Sequence, residues 1–177
     1  MLIGWSAAAA AAIMLSSPIL LQKASAADKP TDPQIAHIAY TAGVIDINAA
    51  KQAQKKAKSK DVKAFAEDML RDHEAVNKQA LALVKKLNVT PEDNEASKAL
   101  SRQASDKLAE LDKLDGTAFD KAYVANEVAY HEAVNGTLET QLIPSANNAE
   151  LKSLLQTGLK IFRGHQQHAE HVAAELK

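Results

Sequence analysis

Apolar residues recur along most of this chain at alternating steps of three and four, the spacing that aligns side chains on one face of an α-helix. The clearest run is Ser59 to Leu87, where Val62, Ala66, Met69, His73, Val76, Ala80, Leu83 and Leu87 form one stripe. Ahead of it, Asp32 and Pro33 make an N-cap and first-turn proline pair, opening a helix that carries Ile35, Ile38, Ala42, Ile45 and Ala49. That helix ends in a lysine cluster from Lys51 to Lys60, a solvated face that suits a helix C-terminus. Ser59 and Asp61 restart the pattern at once, so the first two helices form an antiparallel hairpin.

Asn88 to Thr90 breaks the second helix, and Thr90, Pro91, Glu92 and Asp93 read as the cap and first turn of another. From Glu92 to about Leu114 the pattern is only loosely amphipathic, which predicts a connecting helix over one side or end of a bundle. Asp115-Gly116-Thr117 stops it and opens a third long helix to about Leu142, with Val124, Val128, His131, Asn135, Leu138 and Leu142 in line. After the turn at Pro144 to Asn147, a fourth helix from about Asn148 carries Leu151, Leu154, Gly158, Ile161, His165, His168 and Val172. The expected fold is all-α, an up-down four-helix bundle with an extra connecting helix.

Composition sharpens this picture without changing it. Only 4% of residues are aromatic, with six Gly and five Pro in 177, as expected of an all-helical domain. Residues 1–26 stand apart: Leu2 to Leu21 is apolar, and Ala24-Ser25-Ala26 is the small-x-small pattern a signal peptidase accepts. We expect a secretory signal at 1–26, a flexible leader at 27–33 and a bundle domain at 34–176, exported to the periplasm or envelope; an uncleaved anchor is the alternative. No membrane-spanning segment is expected in the mature chain. Acids (22) and bases (21) nearly balance, which argues against a nucleic-acid partner. A second copy of the chain or another envelope component is left open as a partner. With no cysteine, any metal must be held by His, Asp or Glu.

Such residues fall on or beside the inward stripes: Asp46, His73, Glu127, His131, His165 and His168, with His37 and His171 assigned to the surface. Asp46 lies 13 residues before Ser59 and His73 lies 14 after it. At ~1.5 Å rise per residue both sit roughly 20 Å from the turn, facing each other across the hairpin. Bundles build metal sites in their cores from such groups on facing helices. Imidazole with carboxylate suits Fe, Zn, Cu, Ni or Mn. The competing reading is a buried hydrogen-bond network that sets helix register, and a third is a pH sensor. No nucleophile elbow or phosphate-cradling glycine loop is present.

The residues Ser59, Val62-Lys63, Phe65-Ala66, Met69, Asp72-His73 and Asn77, then Gly116, Phe119-Asp120, Tyr123-Val124 and His131, then His165 with Ala169, resemble the exported bacterial proteins of domain-of-unknown-function family 4142. These are often labelled outer-membrane proteins, although no alternating barrel strands occur here. The resemblance covers about Gln34 to Leu176 and implies a ferritin-like four-helix bundle in the envelope, with no established activity. Di-iron members of the wider ferritin-like group place Glu-x-x-His on two helices. Here Leu70 stands three before His73, and His165 three before His168, so both bridging glutamates are missing. One transition metal is therefore expected, on Asp46, His73, His131 and His165 with Glu127 and His168 as further candidates, serving envelope metal handling or stress protection. A structural or interaction bundle is the alternative, and a ferritin-like metal oxidase ranks third.

Overall fold

The computed structural model describes residues 29–176, so the expected signal at 1–26 lies outside the described residues. Helix α1 (Asp32–Lys56) is capped by Thr31, one residue earlier than expected: the Thr31 hydroxyl accepts from Gln34 N–H, and the Gln34 side chain accepts from Thr31 N–H. Asp32 is thereby freed for a longer reach. Its carboxylate accepts the backbone N–H groups of Asn147 (2.8 Å) and Asn148 (2.9 Å), tying the start of the last helix to the start of the first.

Helix α2 (Lys60–Lys86) begins where expected, with the Ser59 hydroxyl accepting from Asp61 and Val62 N–H, and it ends at Asn88, whose φ of 52° is left-handed. Helix α3 (Glu95–Asp112) starts four residues later than the proline at 91 suggests. Glu92 N–H is spent on the Pro33 carbonyl (3.1 Å), and Asn94 makes the cap reciprocally with Ser97. Gly116, at φ 59°, opens α4 (Gly116–Thr137). The expected α-helix to Leu142 instead widens to a π-helical turn over Leu138–Leu142 and closes in the single turn α5 (Ile143–Ser145). Pro144 explains the change: its ring would strike the Thr140 carbonyl in a continued α-helix. Helix α6 (Ala149–Glu175) follows, with the Asn148 side chain accepting from Glu150 and Leu151 N–H.

The described residues form an all-α bundle of four long helices (α1, α2, α4, α6), and α3 lies along α1. Helix α3 starts beside Gln34, which it bonds through Asn94, and ends beside Gln52 and Lys56. It therefore carries the chain back to the α1–α2 turn, and α4 runs parallel to α2. At that turn the Asp120 carboxylate accepts Lys58 N–H (3.0 Å) and Ser59 N–H (2.8 Å), while Phe119 and Tyr123 bury their rings beside Phe65. The Phe-Asp-x-x-Tyr motif is thus a clasp between α4 and the hairpin.

Two apolar clusters fill the bundle. One surrounds Phe65, Met69, Phe119, Tyr123 and Val124 near the α1–α2 turn; the other gathers Ile35, Leu138, Leu142, Leu155 and Phe162 toward the opposite end. A cavity of about 70 Å³ within the second is lined by apolar side chains including Val76, Val134 and Phe162. Helix α6 buries Leu155, Phe162 and Ala169 where the sequence stripe places Leu154, Ile161 and His168. Both phases share Leu151, Gly158, His165 and Val172. The observed one buries an aromatic ring and spares an imidazole from desolvation. No helix among the described residues is long and apolar enough to cross a membrane.

Asp120→Ala leaves two turn N–H groups without their charged acceptor, and urea unfolding should show a loss of about 2–3 kcal/mol. At Gly43, a Cβ would stand 2.3 Å from the Asn77 side-chain oxygen, which is buried between α1 and α2. Gly43→Ala should therefore destabilise by about 1 kcal/mol, the net of a steric cost and a gain in helix propensity. In an Asn77→Ala background the same change should become stabilising.

Candidate metal centre

Between the two apolar clusters lies a polar layer to which each long helix contributes. Helix α1 brings Asp46, α2 His73, α4 Glu127 and His131, and α6 His165, all five buried. Glu127 and His131 are one helical turn apart, so one stretch of α4 supplies both a carboxylate and an imidazole. The His73, His131 and His165 rings form a nearly equilateral group, with centroids 5.2–5.7 Å apart. One nitrogen from each falls within 4.8 Å of the others. Asp46, Glu127 and His131 make a second set with the same property. The pairing counted along the hairpin is present, with His73 Nε2 3.6 Å from Asp46 Oδ2.

Hydrogen bonds orient two of the rings. His131 Nδ1 donates to the Glu127 backbone carbonyl (3.0 Å), which leaves the Nε2 lone pair facing the layer. His165 Nε2 donates to Asp72 Oδ2 (3.0 Å), which leaves Nδ1 facing inward. Arg71 holds the other Asp72 oxygen through its Nε (2.8 Å). A carboxylate behind an imidazole is how ligating histidines are fixed in tautomer and direction. His73 stacks on Phe162, centroids 4.6 Å apart and 8° from parallel, and neither of its nitrogens has a hydrogen-bond partner.

Burial governs the charge state. It lowers the His73 imidazole well below its ordinary value, with His131 and His165 adding to the effect, and it brings His131 down to about 4. His165 is lowered too, against the pull of Asp72. The carboxyls move the other way. Burial raises Asp46 strongly, helped by the neighbouring Glu127 charge, and it pushes Glu127 up to about 7. The shifts favour uncharged imidazoles at neutral pH, and they favour the protonated form of both acids over what free carboxyls would hold.

Buried atoms without partners concentrate here: both nitrogens of His73, His131 Nε2, His165 Nδ1, Asp46 Oδ1, Glu127 Oε2 and the Tyr123 hydroxyl. Each such atom costs about 1–3 kcal/mol unless something binds it. Neutral imidazole lone pairs with carboxylate oxygens alongside are a donor set that fits one divalent transition ion. His131 Nδ1 is engaged, so His131 offers a single nitrogen to both ligand sets. They describe two ends of one site.

Five of the six residues expected from the sequence come together, and His168 does not. It lies half-exposed on α6, edge-on to Phe65 (5.1 Å) and 3.9 Å from Asp68, because α6 turns Ala169 inward in its place. Asp72 was the residue missed: it sits off the apolar stripe, and only its adjacency to His73 in the Asp72-His73 motif pointed to it. Tyr123 likewise stood in a motif without a suspected place at the site, and burial with the nearby Glu127 and Asp46 raises its hydroxyl well above the usual value.

No curated protein matches this chain. Among solved structures it is similar to "CopM in the Cu(II)-bound form", with a TM-score of 0.64 at 13% identity, covering 85% of this chain and 100% of that one. At that identity the likeness speaks for the fold alone. The model of the family described as "Domain of unknown function (DUF4142)" matches residues 19–172, and the chain belongs to that family.

Proposed function

We propose that this chain is an exported metal-handling protein that binds one transition ion in the polar layer, through His73, His131 Nε2 and His165 Nδ1, with Asp46 or Glu127 supplying an oxygen. One observation carries the reading. Three buried imidazoles from three helices bring one nitrogen each within 4.8 Å of the others, and His131 Nε2, His165 Nδ1 and both His73 nitrogens lack a hydrogen-bond partner. A closed hydrogen-bond network, the rival reading, would have paired these atoms with one another.

Three imidazoles favour Cu or Zn over Mn, and the Cu(II)-bound state of the CopM structure supports copper as the first ion to try. Bound there, the ion would take up the imidazole and carboxylate lone pairs and lend the layer a positive charge. Asp72 keeps His165 in the binding tautomer, and the Glu127 carbonyl does the same for His131. Phe162 on one side and Tyr123 with Phe65 on the other keep water out. The residues suit holding an ion rather than turning over a substrate. The apparent signal at 1–26 supports a role in metal handling or stress protection in the envelope.

With free Cu(II) held at a thousandfold excess over Kd, the protein should melt higher than after chelation, by an increment worth about 4 kcal/mol. His73→Leu should abolish that increment while leaving the metal-free protein at least as stable as wild type, since an unpaired buried imidazole has been removed. A metal-free His73→Leu protein several kcal/mol less stable would favour the network instead.

Affinity should also depend on pH with a definite sign. The ion competes with the proton on Glu127, which leaves near pH 7, whereas His131 takes a proton only near 4. As pH falls from 7, Cu(II) affinity should therefore drop by about tenfold per unit for one displaced proton, and it should level off above about 8. Titrations at several pH values in a non-chelating buffer check this.

A further inference from the structure

The polar layer is closed above and below. Phe162 stacks on His73 and separates it from the apolar cavity, and the Phe65, Tyr123 and Phe119 rings close the side toward the α1–α2 turn. Between α1 and α4, Tyr130 donates to the Ala42 carbonyl (3.2 Å) and bridges the seam. Metal-ligating side chains reach solvent between α2 and α6. Asp68 and Asp72 are one turn apart on α2, facing His168 and His165 on α6. Side-chain exposure falls along this line from 39% at His168 and 37% at Asp68 to 29% at Asp72, 8% at His165 and 2% at His73.

We propose that this seam is the path by which a metal cation passes between solvent and the buried imidazoles, with Asp68 and His168 as the outer station and Asp72 with His165 as the inner one. The inference rests on the metal-binding reading above and adds its kinetics. The outer station pairs a carboxylate with an imidazole and the inner one presents Asp72 Oδ2 beside the His165 ring, so a cation moving inward exchanges water for protein ligands in steps, and never crosses apolar core bare. His165 belongs to both the path and the site: its Nε2 faces Asp72 and its unpartnered Nδ1 faces the interior. Arg71 opposes the traffic. Its guanidinium bonds Oδ1 of both Asp68 (2.5 Å) and Asp72 (2.8 Å), which sets a positive charge beside the Oδ2 atoms that face His168 and His165.

A group on the path that is not a final ligand changes binding and release equally and leaves Kd alone, whereas a ligand changes Kd. Stopped-flow uptake of Cu(II), followed by its visible ligand-field band, and release to a chelator separate the two. The Asp68→Asn/His168→Gln double variant should slow uptake and release about tenfold each at unchanged Kd. Arg71→Ala should speed uptake about threefold, and Glu74→Gln, which removes the same charge from the α1 side of α2, should match wild type. Unchanged rates in the double variant would overturn the path, as would equal slowing by Glu74→Gln. A weakened Kd at an unchanged uptake rate would make His168 a ligand and overturn it too. A wild-type chain that takes up no Cu(II) would instead remove the metal reading itself.

Discussion

Desolvation of five ionisable side chains in one layer is the constraint to which the rest of the bundle answers. Asp46, His73, Glu127, His131 and His165 lose water on folding, and their neutral forms are the ones the interior tolerates. That is why the imidazoles are lowered and the carboxyls raised from their ordinary values. It is also why nitrogen lone pairs, rather than N–H⁺ groups, line the layer. Imidazoles held in their neutral form do not repel one another, so four helices can close around them. The remaining cost is the set of unpaired lone pairs, which a bound cation would relieve.

Holding five groups from four helices in register needs ties outside the layer. Asp120 and Asp32 supply them with the same chemistry, a carboxylate on a pair of backbone N–H groups at a helix start. One fixes α4 to the α1–α2 turn, the other fixes α6 to the start of α1. Each end of the bundle is thereby pinned by one acid. Axial sliding of α4 or α6 by a single turn would move His131 or His165 about 5.4 Å and disperse the group. Gly43 adds a lateral constraint, since only its missing side chain lets Asn77 lie against α1 beside the layer. None of these residues is a proposed ligand, yet they set the distances between the ligands.

The fold was legible because it rests on helical periodicity and caps, both local signals. Ser59 and Asn148 sit at their helix starts as the sequence suggests, and the Asp46–His73 pairing follows from counting residues out from one turn. The structure departs from the sequence reading where a tertiary contact, or at Pro144 a clash one turn back, overrode the helical pattern. Asp32 gave up its cap to hold Asn147 and Asn148, Pro91 lost its helix start when Glu92 bonded Pro33, and Pro144 widened α4 into a π turn. On α6 two apolar stripes one residue apart were both consistent with the spacing. Packing chose the one with Phe162, and His168 went outward as a result. Asp72 was hidden for a similar reason: an orienting residue approaches from outside the stripe, so no inward periodicity marks it.

That choice of stripe also decides what kind of site the layer can be. With Phe162 against His73, one face of the cluster is an aromatic wall, and the position three before His73 is Leu70, an apolar residue with no oxygen to bridge two metals. His131 has one free nitrogen, because its other is bonded to the Glu127 carbonyl. The histidine set and the carboxylate set share this one ring, so two ions cannot each have a full complement. The layer is built for a single cation that can lean toward nitrogen or toward oxygen. How far it leans depends on whether Asp46 and Glu127 still hold their proton. Metal and proton are thus alternative occupants of one buried space, a consequence of burial rather than of any one ligand.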